Sequence, residues 1–105
     1  MNDRRGVLLL FYDLPVLTAS QRRNAAQFRK RLLKLGFTQV QESVYVQLVH
    51  NESALKAELL KIKSFAPKDG LVQVLPMSLQ TFQGMQTLCG QGFNQNRFAD
   101  DLVFL

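Results

Sequence analysis

The stretch Val7-Leu8-Leu9-Leu10-Phe11-Tyr12-Asp13-Leu14-Pro15 decides the fold. From Gly6 to Tyr12 it is bulky and apolar without polar alternation, the pattern of a central strand covered on both faces, which a short buried helix shares. Pro15 stops a helix from continuing. The stretch therefore predicts a buried strand that carries one carboxylate, Asp13, to its exposed C-terminal tip, where sheets of mixed proteins open onto loops and keep their chemistry.

On the C-terminal side, Thr18 or Ser20 can cap a helix that runs to Leu35. Ala25, Phe28, Leu32 and Leu35 recur in it at three- and four-residue spacing and form an inward stripe, and Gly36 ends it. Phe37 to Val49 then has strand character, with Val44, Val46 and Leu48 alternating with Tyr45, Gln47 and Val49. The polar pair Glu42-Ser43 marks a turn or a bulge inside what is expected to be a hairpin. Asn51 or Ser53 opens a second helix whose Leu55, Leu59, Leu60 and Ile62 are expected to face the core, and Pro67-Lys68-Asp69-Gly70 closes it. A further strand runs from Leu71 to Pro76.

Strand, helix, two strands, helix, strand is the βαββαβ order of a ferredoxin-like α+β sandwich. Helices cover one face of such a sheet; the other is left for a ligand, a nucleic acid or a second copy of the chain. The tail from Gln80 to Asp101 is rich in Gln, Gly and Asn and has room for at most a short helix around Thr81 to Thr87. The apolar Leu102-Val103-Phe104-Leu105 that follows needs a sheet edge, its own or a partner's. The expectation is one domain over residues 1–105, with 79–105 an extension that completes a sheet across a homodimer.

Thirteen Lys and Arg against eight Asp and Glu give a formal charge of +5, a surplus that favours polyanions such as nucleic acid. Much of it falls on the first helix, where Arg22, Arg23, Arg29, Lys30, Arg31 and Lys34 stand with no acid between Ser20 and Gly36. Such a run cannot form the alternating ion pairs of an ordinary solvated helix, and it points to phosphate contact. Arg4 and Arg5 precede the first strand. The single cysteine, Cys89, has no partner for an internal disulfide or a Cys-rich zinc site, which suits a reducing cytoplasm. No segment has the length of a membrane span or the layout of a signal peptide.

Asp13 has two readings. It forms an Asx-turn before Pro15, or a twofold axis brings it against its counterpart to make the paired-carboxylate cation site that one chain lacks. His50 stands alone at a strand-to-helix junction. Ser43 is either a turn hydroxyl or a donor to a phosphate or water, and Tyr12 and Tyr45 either pack in the core or lie at the open sheet face. Glycine-rich phosphate loops, dinucleotide fingerprints and the aromatic signature of a sheet-based RNA reader are absent from the sequence.

Tyr12-Asp13-Leu14-Pro15, Gln21-Arg22-Arg23, Lys34-Leu35-Gly36-Phe37 and Gln41-Glu42-Ser43-Val44-Tyr45, taken in order, resemble the CRISPR-associated protein 2 family. The resemblance implies a ferredoxin-like homodimer that partners the integrase CRISPR-associated protein 1 in spacer acquisition. It also implies, for some members, Mg²⁺-dependent nuclease activity with Asp13 as metal ligand and catalytic residue. Tyr12, Arg22, Arg23, Phe37 and Ser43 fall at positions that the family ties to activity or substrate contact, and Leu102 to Leu105 looks like the strand that completes a partner's sheet. Two mechanisms follow: Mg²⁺ held by paired Asp13 carboxylates for phosphodiester cleavage, or a basic adapter whose Arg22, Arg23, Arg29, Lys30 and Lys34 hold a duplex DNA prespacer, or RNA, while the integrase does the chemistry. A ferredoxin-like regulatory or protein-interaction domain is the reading outside nucleic-acid biology.

Overall fold

The computed structural model describes residues 5–93 and Phe98. Its elements are β1 (Gly6–Asp13), α1 (Ala19–Lys34), β2 (Thr38–Gln41), β3 (Val44–Val49), α2 (Glu52–Phe65), β4 (Leu71–Ser78) and α3 (Leu79–Gln83). The sheet has the order β2-β3-β1-β4, with every neighbouring pair antiparallel. β1 and β2 run parallel with β3 between them, and β3 and β4 run parallel with β1 between them. These are the two interleaved, split βαβ units of a ferredoxin-like fold.

Local chemistry sets the boundaries. At the start of α1, Thr18 Oγ1 accepts from the Gln21 N–H at 3.0 Å while Gln21 Oε1 accepts from the Thr18 N–H at 3.0 Å, a reciprocal capping box. Its C-terminus is closed by Gly36, whose φ of +97° lets Phe37 N donate to Leu32 O at 3.1 Å. Asn51 rather than Ser53 caps α2, with Oδ1 accepting from Ala54 N at 2.8 Å. The β2–β3 hairpin contains both expected features: a turn at Glu42-Ser43 and a register shift between Gln39 and Gln41. β4 continues two residues beyond Pro76, which is tolerated because β4 is an edge strand.

The core lies on both sides of the sheet. Leu8, Leu10, Tyr45 and Val49 face Phe28, Leu32, Phe37 and Ile62 in the layer beneath the two long helices. On the opposite face Val7 and Val46 are buried under Leu79, Phe82 and Phe98, with Leu9, Leu48, Met77 and Phe93 packed around them. Phe82, Phe93 and Phe98 meet one another with ring centroids 5.5 to 6.3 Å apart, a separation typical of aromatic packing. This explains the unbroken apolar run of β1: the tail covers one end of the face that the sequence left open. Towards the tip that bears Asp13 the same face is uncovered, with Phe11 36%, Leu71 56% and Leu75 51% exposed.

Two expectations need correction. Leu60 is 70% exposed, because Leu55, Leu59 and Ile62 form the inward stripe of α2 and position 60 lies about 100° around the helix from Leu59. The short helix of the tail begins at Leu79 and ends before Gly84, so it does not reach Thr87. Ser78, at the end of β4, caps it by accepting from Thr81 N at 3.0 Å. The segment Leu102 to Leu105 lies outside the described residues. Among the described residues, no helix is long and apolar enough to cross a membrane.

Candidate nucleic-acid and metal site

Alternation along β1 divides the predicted site. Leu8, Leu10 and Tyr12 point towards the helices and Val7, Leu9, Phe11 and Asp13 point the other way. Asp13 pairs with Leu71 at the end of the β1–β4 ladder, and its side chain is exposed. The turn before β4 presses on its backbone: a Cβ built on Gly70, whose φ is +92°, would lie 2.6 Å from Asp13 O, 2.9 Å from Leu14 Cδ2 and 3.0 Å from Pro15 Cδ. Only glycine combines that backbone conformation with so close an approach.

Tyr12 belongs to a different set. Its ring stacks on Tyr45 with centroids 5.9 Å apart and meets the edge of Phe28 at 5.3 Å, and its hydroxyl donates to Tyr45 Oη at 3.5 Å. The Ser43 side chain also hydrogen-bonds to it, and the Arg29 guanidinium adds a favourable charge. Burial, followed by the Tyr45 hydrogen bond, pushes the Tyr12 phenol up to about 12, outweighing the opposite pull of Ser43 and Arg29. Both tyrosines therefore lie on the helix-covered face. Ser43 is tied in twice, since its carbonyl also accepts from Tyr12 N at 3.2 Å. Sequence reasoning singled out Tyr12 and Ser43 but not their link to Arg29, because that link depends on how α1 lies across the hairpin.

Phe37 is a core residue, 4% exposed, among Phe28, Leu32 and Tyr45. Its burial explains its place in the motif without contact to a ligand. His50 is exposed beside the start of α2. The structure thus brings Tyr12, Ser43 and Arg29 together and sets Asp13 and Phe37 apart from them.

The cations of α1 are all exposed but not equivalent. Arg22 Nη1 donates to Val16 O and Leu17 O, each at 3.2 Å, and so clamps the loop between β1 and α1. Arg29 Nη2 donates to Gln39 Oε1 on β2 at 3.3 Å. Arg31 lies 5.5 Å from the centre of the Phe65 ring on α2, within cation–π range. Arg23, Lys30 and Lys34 have no such partner among the described residues.

Among the described residues, no three His, Cys, Asp or Glu side chains converge into a cation cage. Asp13 is nonetheless an exposed hard oxygen donor, and Mg²⁺ is commonly held by one or two carboxylates while keeping several of its waters. It suits a shared or water-rich site and not a closed one.

The family model for CRISPR associated protein Cas2 matches residues 7–85, from β1 to just past α3. The chain belongs to the Cas2 family. Relatives named CRISPR-associated endoribonuclease Cas2 match over most of this chain. The protein of Treponema denticola is 37% identical over 94 residues, covering 90% of this chain and 93% of the relative. That of Ligilactobacillus salivarius is 34% identical over 90 residues, 86% and 89% of the two chains. A Streptococcus mutans relative is 36% identical over 99 residues, 93% of this chain and 92% of its own.

Proposed function

We propose that this chain is a cytoplasmic subunit of CRISPR spacer acquisition that binds duplex DNA as a homodimer and bridges units of the CRISPR-associated protein 1 integrase. The observation that carries this reading is α1, which holds six cations and no acid over sixteen residues. Contacts within the fold engage Arg22, Arg29 and Arg31 but leave Arg23, Lys30 and Lys34 without a partner among the described residues, and no acid on the helix balances the six; a phosphate backbone gives that surplus a purpose. The uncovered half of the sheet, with Phe11, Leu71 and Leu75 exposed, supplies an apolar surface for the second copy. Its position beside Asp13 supports a twofold axis that brings the two carboxylates towards each other.

Phosphodiester cleavage is the second activity, favoured by the names of the relatives. Asp13 of each copy would hold Mg²⁺, which when bound neutralises phosphate charge and acidifies a water. The chain's own residues then have separate duties. Asp13 offers the carboxylate, Gly70 fixes its backbone, and Tyr12, locked by Tyr45 and Ser43, keeps the preceding residue in register from the other face. Among the described residues, no second acid or histidine shares the strand face of Asp13, so binding ranks first.

Asp13→Ala separates the two activities. Mg²⁺-dependent cleavage of single-stranded RNA and of duplex DNA should vanish, while duplex affinity and integrase-driven spacer insertion stay within about twofold of the parent. Loss of insertion with cleavage would make the carboxylate essential to adaptation and reverse the ranking. Failure of the parent to bind any oligonucleotide at physiological salt would favour a regulatory or protein-interaction domain.

A further inference from the structure

We propose that Arg23, Lys30 and Lys34 form the ridge that grips the phosphates of a duplex, while Arg22, Arg29 and Arg31 hold the fold in shape. This rests on the nucleic-acid reading above and assigns the contact to three side chains within it.

At about 100° per residue, Arg23, Gln27, Lys30 and Lys34 fall within about 60° of one another around α1. Phe28 and Leu32, the residues of α1 buried in the core, lie on the far side, about 160° away. The ridge therefore points straight out from the protein. Arg22 and Arg29 lie on one flank, over the loop and β2, and Arg31 on the other, over α2, which is where their partners are found. A guanidinium that already clamps two carbonyls, an amide or a ring must give up or share that contact to meet a phosphate. The three ridge cations have none to give up among the described residues.

The ridge is straight because the helix is. From Arg23 to Lys34 it extends about 16 Å, the length of about five base pairs. Gln27, exposed in the gap between Arg23 and Lys30, adds an uncharged amide donor in the same line. Fixed charge along a rigid rod suits the regular backbone of a duplex, read without regard to base sequence. DNA and RNA duplexes share this chemistry.

The test compares variants that remove the same formal charge. Affinity for a 30-base-pair DNA duplex and for the RNA duplex of the same sequence is followed by fluorescence anisotropy across a salt series. Arg23→Gln with Lys30→Gln and Lys34→Gln should lower the slope of log affinity against log salt by about 2.7 for each helix engaged on DNA. The affinity lost between about 50 and 200 mM salt then shrinks by roughly 40-fold per helix. Arg22→Gln with Arg29→Gln and Arg31→Gln should change the slope by less than about 1 and lower the melting temperature instead. Should that variant not fold, Lys56→Gln with Lys61→Gln and Lys63→Gln on α2 serves as the charge-matched comparison. Equal slope changes in ridge and comparison variants would overturn the assignment in favour of a diffuse positive field, and an unchanged ridge slope would overturn it outright. If the parent protein binds neither duplex at about 50 mM salt, the functional reading itself fails, a result distinct from both. A ridge effect on DNA alone, on RNA alone or on both supports the ridge and identifies its ligand.

Discussion

Gly70→Ala tests whether the turn before β4 holds the backbone that carries Asp13. The new methyl carbon would sit 2.6 Å from the carbonyl oxygen of Asp13, 2.9 Å from Leu14 Cδ2 and 3.0 Å from Pro15 Cδ, and the backbone φ of +92° would have to be kept. The left-handed conformation costs an alanine about 1–2 kcal/mol. Leu14 can rotate away, but a carbonyl inside a β-ladder and a proline ring cannot, and overpacking of this kind costs about 1–3 kcal/mol. Alanine returns about 0.4–1 kcal/mol by stiffening the unfolded chain, so the net loss is about 1–4.5 kcal/mol. In urea, with a slope of about 1.5 kcal/mol/M for a chain of this size, the midpoint should fall by roughly 1–3 M. Gly90→Ala is the control: its φ is +85°, yet nothing lies within 4 Å of its Cβ, and it should lose no more than about 1.5 kcal/mol. Both variants are unfolded at one protein concentration, because self-association would shift the midpoint. Equal midpoints for the two would refute the steric argument and with it the idea that this turn positions Asp13.

Two further predictions concern the faces of the sheet. With the Tyr12 phenol raised from its ordinary 10.0 to about 12 in the folded chain, its contribution is intact below pH 10, where folded and unfolded chains are both protonated. Between pH 10 and about 12 only the unfolded chain gives up the proton, so stability falls as pH rises through that window. Tyr12→Phe should flatten this fall in denaturant titrations at successive pH values, and identical curves would show that burial and the Tyr45 hydrogen bond do not hold the phenol in its protonated form. Phe82→Ala removes the centre of the aromatic cover on the opposite face and should cost about 3 kcal/mol, with faster amide exchange at Val7 and Val46. A loss below about 1 kcal/mol would mean that the cover is only loosely attached.

The order of elements was legible in the sequence because each carries its own punctuation: Pro15 after the first strand, Thr18 or Ser20 at the start of α1, Gly36 at its end, and Asn51 or Ser53 before α2. Leu60 was misplaced because a leucine next to the inward stripe looks like part of it until the helix is seen against its neighbours. The sides of β1 were hidden for a physical reason. When helices bury one face and a tail buries the other, apolar residues occupy both, and alternation no longer says which way Tyr12 and Asp13 point. Arg22 and Arg23 are likewise adjacent in sequence and about 100° apart in space, so one bonds the loop and the other faces solvent.

That geometry bears on the choice between adapter and nuclease. Asp13 opens onto the face of the sheet away from the helices, whereas Arg23, Lys30 and Lys34 line the outer side of α1, with the width of a helix, about 10 Å, and the sheet between the two directions. A duplex lying along the ridge cannot at the same time present a phosphate to the Asp13 carboxylate of the same protomer. The proposed binding through α1 and the proposed chemistry at the tip of β1 would therefore require different nucleic-acid poses. This is why removing the carboxylate should spare the grip proposed for α1, and why the absence of a second acid or histidine on Asp13's strand face among the described residues does not count against the proposed role as a basic support.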